Sequence, residues 1–83
     1  MAIRITKTEE ADQTVLKVAG WFKAEDVEEL TRVYQSVPGS AALDLSELQS
    51  ADQEGIETLR ELLSLGAEVR GATRYVELLL KDR

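Results

Sequence analysis

Apolar and polar residues alternate in two short segments near the start of the chain, and this is the period of half-buried β-strands. The segments are residues 3–7 and 14–19, and a polar turn over residues 9–12 joins them. Because the connection is short, we predict that they pair as an antiparallel hairpin. Gly20 is predicted to end the second strand.

The spacing of apolar residues becomes helical over residues 25–37, where Val27, Leu30 and Tyr34 form one stripe. Pro38-Gly39 ends this predicted helix. A second helix is predicted over residues 53–65. The inner stripe of that helix consists of Ile56, Leu59, Leu62 and Leu63.

A third helix is predicted to begin after Thr73, which would cap it, with Val76, Leu79 and Leu80 directed inward. The short apolar segments 41–45 and 67–71 are interpreted as strands. The resulting order is β-β-α-β-α-β-α, and its β-α-β units imply parallel strands joined by right-handed crossovers. We therefore predict an α/β fold with a four-stranded mixed sheet and helices mainly on one face.

The composition of the chain limits the number of domains and the classes of function that we expect. Eighty-three residues predict a single domain spanning 1–83. The net charge of −6, without a stripe of basic residues, argues against nucleic-acid binding. Cysteine and histidine are both absent, which excludes disulfides and zinc sites built from these residues. No apolar stretch approaches the length of a membrane span, so we expect a cytoplasmic protein without membrane insertion.

Carboxylates are abundant around the predicted start of the second helix. Asp44, Asp52, Glu54 and Glu57 could be interpreted as catalytic acids and bases or as metal ligands. No nucleophile or base accompanies them, and their spacing matches no calcium loop. We therefore interpret them as structural and surface residues, and we expect no enzymatic activity, no metal and no cofactor.

Two short motifs carry a resemblance to a known family. Asp44-Leu45-Ser46 is followed by Asp52 and Gly55, and Gly20 closes the predicted second strand. These residues, together with the paired leucines of the segment 73–79, resemble the signature of STAS domains. STAS domains occur as the tails of sulfate transporters. Anti-sigma factor antagonists also consist of this domain. The resemblance implies a STAS-like fold over nearly the whole chain.

The resemblance also implies a function. In the signalling members of the family, a partner kinase phosphorylates a serine just before the glycine, and this decides which partner binds. Here Glu54 occupies the phosphosite-equivalent position, so the usual hydroxyl is missing and a negative charge is built in. The family's Gly-Glu-Leu-Asp is replaced by Gly20-Trp21-Phe22-Lys23.

We predict a partner-binding surface around the start of the second helix. Its residues are Gly20, Trp21, Phe22, Lys23, Ser46, Ser50, Asp52, Gln53, Glu54 and Glu57. Trp21 and Phe22 should point in opposite directions, one into the core and one to solvent. Ser50 has capping-box spacing to Gln53 and is predicted to cap the helix.

By resemblance, the partner would be a bacterial anti-sigma factor with a kinase-like ATP-binding fold, and the chain would act in transcription regulation. An alternative is a cytoplasmic STAS subunit that docks on the ATPase of a lipid transporter. A third alternative is a structural module that forms homo-oligomers through an exposed strand edge or the third helix.

Overall fold

The computed structural model describes residues 3–39 and 41–81. The N-terminal alternation gives β1 (Ile3–Glu9) and β2 (Thr14–Phe22), which pair antiparallel with Ile3 opposite Gly20. The predicted hairpin is therefore confirmed. Both strands are longer than the alternation indicated.

Gly20 lies inside β2, so the prediction that it ends the strand is wrong. Its φ of 103° is in the left-handed region that glycine adopts without a steric penalty. The parallel pairing of β2 with the strand beside it shifts register between Gly20 and Trp21. Gly20 thus lets the strand change its twist and continue to Phe22.

The sheet has five strands among the described residues, one more than predicted. β3 (Ala41–Asp44) and β5 (Glu68–Arg70) were expected, but β4 (Leu48–Ala51) was not. The order is β1-β2-β3-β5, and β4 pairs with the end of β2, beyond the stretch that β3 occupies. The β2–β3, β2–β4 and β3–β5 pairs are parallel, as the β-α-β order required.

The helices follow the predicted stripes with small differences at their ends. The first begins as a 3-10 turn (Ala24–Asp26) and continues as α1 (Val27–Gln35), two residues shorter at its C-terminus than predicted. α2 (Gln53–Ser64) and α3 (Arg74–Lys81) lie close to the expected positions. The Thr73 cap is confirmed, because its Oγ1 accepts a hydrogen bond from the Val76 amide at 3.2 Å.

One face of the sheet packs against the helices and forms the core. Leu16, Leu43, Leu59 and Val76 are all fully buried there. The predicted inner stripe of α2 is confirmed, with Leu59 and Leu62 buried and Leu63 half-buried against the core. The fold is thus a mixed α/β fold with helices mainly on one face of the sheet.

Two arginines tie distant parts of the chain together. Arg60 of α2 donates to the carbonyl oxygens of Leu79 and Leu80, both at 2.9 Å, at the C-terminal end of α3. Arg70 of β5 reaches the β1–β2 turn, where it pairs with Glu10 at 3.2 Å. Within the described ranges, no helix is long and apolar enough to cross a membrane.

Candidate functional site

The C-terminal ends of β2 and β4 meet the N-terminus of α2 at one end of the sheet. Trp21 pairs with Ser50 and Phe22 with Ala51 in the parallel β2–β4 ladder. The Asp52 amide then donates to the Phe22 carbonyl at 3.0 Å. The unpredicted strand β4 therefore brings Trp21 and Phe22 into direct contact with the segment that leads into α2, about thirty residues further along the chain.

Asp52 is the N-cap of α2 and also bridges to the segment after β2. One carboxylate oxygen accepts from the Gly55 amide at 2.8 Å, and the other accepts from the Ala24 amide at 2.9 Å. The hydrogen bond from the Gly55 amide lowers the pKa of the Asp52 carboxyl most, and the hydrogen bond from the Ala24 amide lowers it next. The pKa is therefore below its ordinary value of 3.8. Asp52 is therefore held as a carboxylate that fixes the turn at the start of α2.

The prediction that Ser50 caps α2 is wrong. Ser50 is a residue of β4, and the helix begins one residue after Asp52. Serine and aspartate are both good N-caps, so the spacing to Gln53 was ambiguous. Asp52 caps the helix because β4 continues to Ala51 before the chain turns.

Gly55 lies where α2 passes closest to β2. A Cβ at this position would come within 2.6 Å of the Phe22 carbonyl oxygen and 3.0 Å of the Phe22 ring. Both distances are shorter than van der Waals contact, so only glycine allows this approach. The glycine of the motif therefore has a packing role that is independent of any signalling role.

Trp21 and Phe22 point in opposite directions, as predicted. Phe22 is fully buried, whereas Trp21 is 53% exposed. The ammonium of Lys23 lies 5.1 Å from the centre of the Trp21 ring, which is within cation–π range. The end of β2 thus presents an exposed aromatic ring with a cation over it, on the face of the sheet opposite to Phe22 and α2.

The first turns of α2 present a polar and acidic surface. Gln53, Glu54 and Glu57 are all exposed. The side-chain amide of Gln53 donates to the Glu57 carboxylate at 3.3 Å. Glu54 is the second residue of the helix, where a negative charge interacts favourably with the helix dipole.

Ser46 lies apart from this turn. It precedes β4 whereas Asp52 follows it, so the length of β4, about 13 Å for four residues, separates them. The Ser46 amide donates to the Asp44 carboxylate at 3.0 Å. Hydrogen bonds from Ser46 are the main reason that the pKa of Asp44 is lowered. Asp44 and Ser46 thus form a local turn, and Gly20 lies near it, because the Gly20 amide donates to the Glu47 carbonyl at 3.1 Å.

Two contributors to the site were missed from the sequence. Ala24 supplies a backbone amide to Asp52, and Asp26, itself buried, accepts from the Lys23 amide at 3.1 Å. Leu48-Gln49-Ser50-Ala51 does not alternate and has only four residues, so the sequence carried no periodic signal for β4. A contact made through the backbone amide of an alanine leaves no sequence signal either.

Solved structures with the same fold include anti-sigma factor antagonists. A STAS-domain anti-sigma factor antagonist from Rhodobacter sphaeroides is 19% identical, with a TM-score of 0.64, and the match covers 88% of this chain and 94% of that one. The anti-sigma factor antagonist SpoIIAA in its unphosphorylated form is 14% identical, with a TM-score of 0.63 over 96% of this chain and 82% of that one.

The crystal structure of Mglu also contains the fold, at 19% identity and a TM-score of 0.68 over 83% of this chain, but this chain spans only 20% of the length of Mglu. No protein-family model and no curated protein sequence matches the chain. The chain therefore has the fold of STAS domains and of SpoIIAA, as the sequence motifs predicted.

Proposed function

We propose that this chain is a STAS domain over residues 1–83 that acts without catalysis, as a regulatory protein that binds another protein. The exposed Trp21, whose backbone pairs with Ser50 just before the start of α2, is the observation that carries the proposal. A large aromatic ring at 53% exposure can bury much apolar area at low entropic cost, which is why tryptophan is enriched among binding hot spots.

The geometry around Trp21 supports a preorganised binding surface. Asp52 joins α2 to Ala24 at 2.9 Å, and Gly55 allows α2 to pack directly on the end of β2. These contacts fix the first turn of the helix relative to Trp21. A surface that is rigid before binding loses little entropy when a partner docks.

The partner that we propose is an anti-sigma factor with a kinase-like ATP-binding fold, met in the cytoplasm of a bacterium. This follows from the likeness to anti-sigma factor antagonists in both motif and fold. Docking on the ATPase of a lipid transporter is the competing hypothesis within the same fold family. The two hypotheses use the same surface and differ in the protein that covers it.

Glu54 makes the proposed binding independent of phosphorylation at the usual position. A phosphoserine carries about −1.5 to −2 charges and three acceptor oxygens, whereas a carboxylate carries one charge and two oxygens. Glu54 is exposed on the second residue of α2, so its charge faces any partner that covers this turn. We expect a basic residue of the partner opposite Glu54, since an unpaired carboxylate is costly to desolvate.

The test is a calorimetric titration of the purified chain with each ATP-binding-fold anti-sigma factor of the source organism and, in parallel, with its lipid-transporter ATPases. We expect one anti-sigma factor to bind with micromolar or tighter affinity. Exclusive binding to a transporter ATPase would replace the first hypothesis with the second. Failure of both groups to bind would contradict the proposed function.

The role of Glu54 is then tested on that partner with Glu54→Gln and Glu54→Ser. Both changes should weaken binding by about 1–3 kcal/mol, because they leave the opposing charge without its partner. Glu68→Gln is the matched control, since Glu68 is also exposed but lies on β5. If Glu54→Gln and Glu68→Gln bind as tightly as the unmodified chain, Glu54 lies outside the interface.

A further inference from the structure

A groove of about 850 Å³ lies between the start of β1, the end of β2, the segment that leads into β4, and the start of α3. We call it the β1–α3 groove. Ala19 and Gly20 contribute little side-chain bulk to it, and the half-buried Ile3 adds apolar surface. Its volume is in the range of about 300–1,000 Å³ that is typical of sites for small organic molecules.

The charges that line the groove favour an anion. Glu47 is its only carboxylate among the described lining residues, and it pairs with Lys17 at 3.1 Å. The ion pairs found within residues 3–39 and 41–81 are Lys17–Glu47 and Arg70–Glu10. Arg4 also lines the groove and takes part in neither pair. Among the described residues its guanidinium therefore has no ion-pair partner, while the charge of Glu47 is largely compensated.

The position of Arg4 leaves room for a ligand beside it. Arg4 lies opposite Ala19 in the β1–β2 ladder, and the next pair along is Ile3 with Gly20. Cross-strand neighbours with large side chains would otherwise cover the guanidinium. The small side chain of Ala19, on the same face of the sheet as Arg4, leaves the guanidinium uncovered.

Tyr75 gives the groove an aromatic wall. It is the second residue of α3 and is 54% exposed, so much of its ring faces open space. Thr73, also in the lining, uses its Oγ1 as an acceptor for the Val76 amide and keeps its hydroxyl proton as a donor. The groove thus combines a guanidinium, an aromatic face, a hydroxyl donor and apolar surface.

We propose that the β1–α3 groove binds a small organic carboxylate with a compact apolar or aromatic body. The carboxylate pairs with the guanidinium of Arg4, a geometry that allows two parallel hydrogen bonds. The body of the ligand lies against Tyr75 and Ile3. This site is separate from the first turn of α2, and it stands whether or not the proposed protein partner is correct.

The test is a residue-resolved NMR titration of the full chain with benzoate as the probe. Benzyl alcohol tests the need for the charge, and inorganic phosphate tests the need for the apolar body. We expect saturable benzoate shifts centred on Ala19, Leu48 and Tyr75, with a dissociation constant at or below about 1 mM, and weaker binding of both other probes.

Arg4→Gln should weaken benzoate binding at least about tenfold, which corresponds to about 1.4 kcal/mol. Arg32→Gln removes the same charge from an exposed site on α1 and should leave the affinity unchanged. The dispersion of the same spectra reports whether each variant is folded. Benzoate shifts elsewhere in the chain, equal affinity for benzyl alcohol or phosphate, or unchanged binding by Arg4→Gln would overturn the proposal.

Discussion

The α-carbon of Gly55 lies so close to the carbonyl oxygen of Phe22 that a Cβ there would come within 2.6 Å of it. The obstacle is backbone rather than a flexible side chain, so it cannot move away without disturbing β2. This contact joins the helix that carries Glu54 to the strand that carries Trp21. The geometry of the proposed binding surface therefore depends on a residue that has no side chain.

The first prediction is that Gly55→Ala lowers the free energy of unfolding, although alanine is the better helix former. Overpacking at such contacts costs about 1–3 kcal/mol, which exceeds the gain of about 1 kcal/mol in helix propensity. Urea denaturation measures the difference. Ser64→Ala, an exposed change at the other end of α2, should stay within about 0.5 kcal/mol of the unmodified chain. A stabilised Gly55→Ala variant would show that α2 can move away from β2.

The second prediction concerns the core under α2. Leu59 is fully buried between the helix and the sheet, so Leu59→Ala should cost about 2–5 kcal/mol, enough to unfold so small a domain. Leu78→Ala is the matched control, because the same side chain is 54% exposed on α3. Thermal and urea unfolding measure both. A loss below about 1 kcal/mol for Leu59→Ala would mean that another face of α2 is buried.

The third prediction uses the lowered pKa of Asp52. A carboxyl whose pKa is lower in the folded than in the unfolded chain adds stability above its unfolded value, and this is lost as pH falls through the folded pKa. Asp52→Asn keeps one capping oxygen but removes the charge and the acceptor of the Ala24 amide, so it should cost about 1–3 kcal/mol near neutral pH. The two unfolding curves should converge as pH falls through the ordinary pKa of about 3.8 and then through the lower pKa of the folded chain. Parallel curves would mean that Asp52 does not contribute through its charge.

The fourth prediction concerns the attachment of α3. Arg60 donates two hydrogen bonds to the carbonyls of Leu79 and Leu80, and a lysine cannot reproduce this fork. Arg60→Lys should lower stability by about 1 kcal/mol and speed amide hydrogen exchange selectively in α3. Exchange that rises equally in α1 and α3 would indicate a global effect and would argue against a local anchor.

The hydrophobic pattern predicted most of this fold because each major element buries one regular stripe. Leu59 and Leu62 in α2, and the alternation around Leu16 and Val18 in β2, are periodic signals that survive without tertiary information. The motif of Asp52 and Gly55 also located the start of α2 correctly to within a residue.

The errors lie where a single residue or a non-local backbone contact decides the structure. β4 has four residues, too few for periodicity to separate it from a loop. Gly20 was expected to end β2 but instead bends it, because glycine permits both outcomes. The bond from the Ala24 amide to Asp52 depends on chain segments that meet only after folding.

The measurement that most directly tests the proposed binding surface is the affinity of Trp21→Ala for the anti-sigma factor identified by titration. Trp21 and Leu78 are almost equally exposed, at 53% and 54%, but only the backbone of Trp21 pairs with Ser50, just before the start of α2. We predict that Trp21→Ala weakens binding at least about tenfold, or 1.4 kcal/mol, and that Leu78→Ala leaves it unchanged. Full affinity in Trp21→Ala, or a larger loss in Leu78→Ala, would contradict the assignment of this surface.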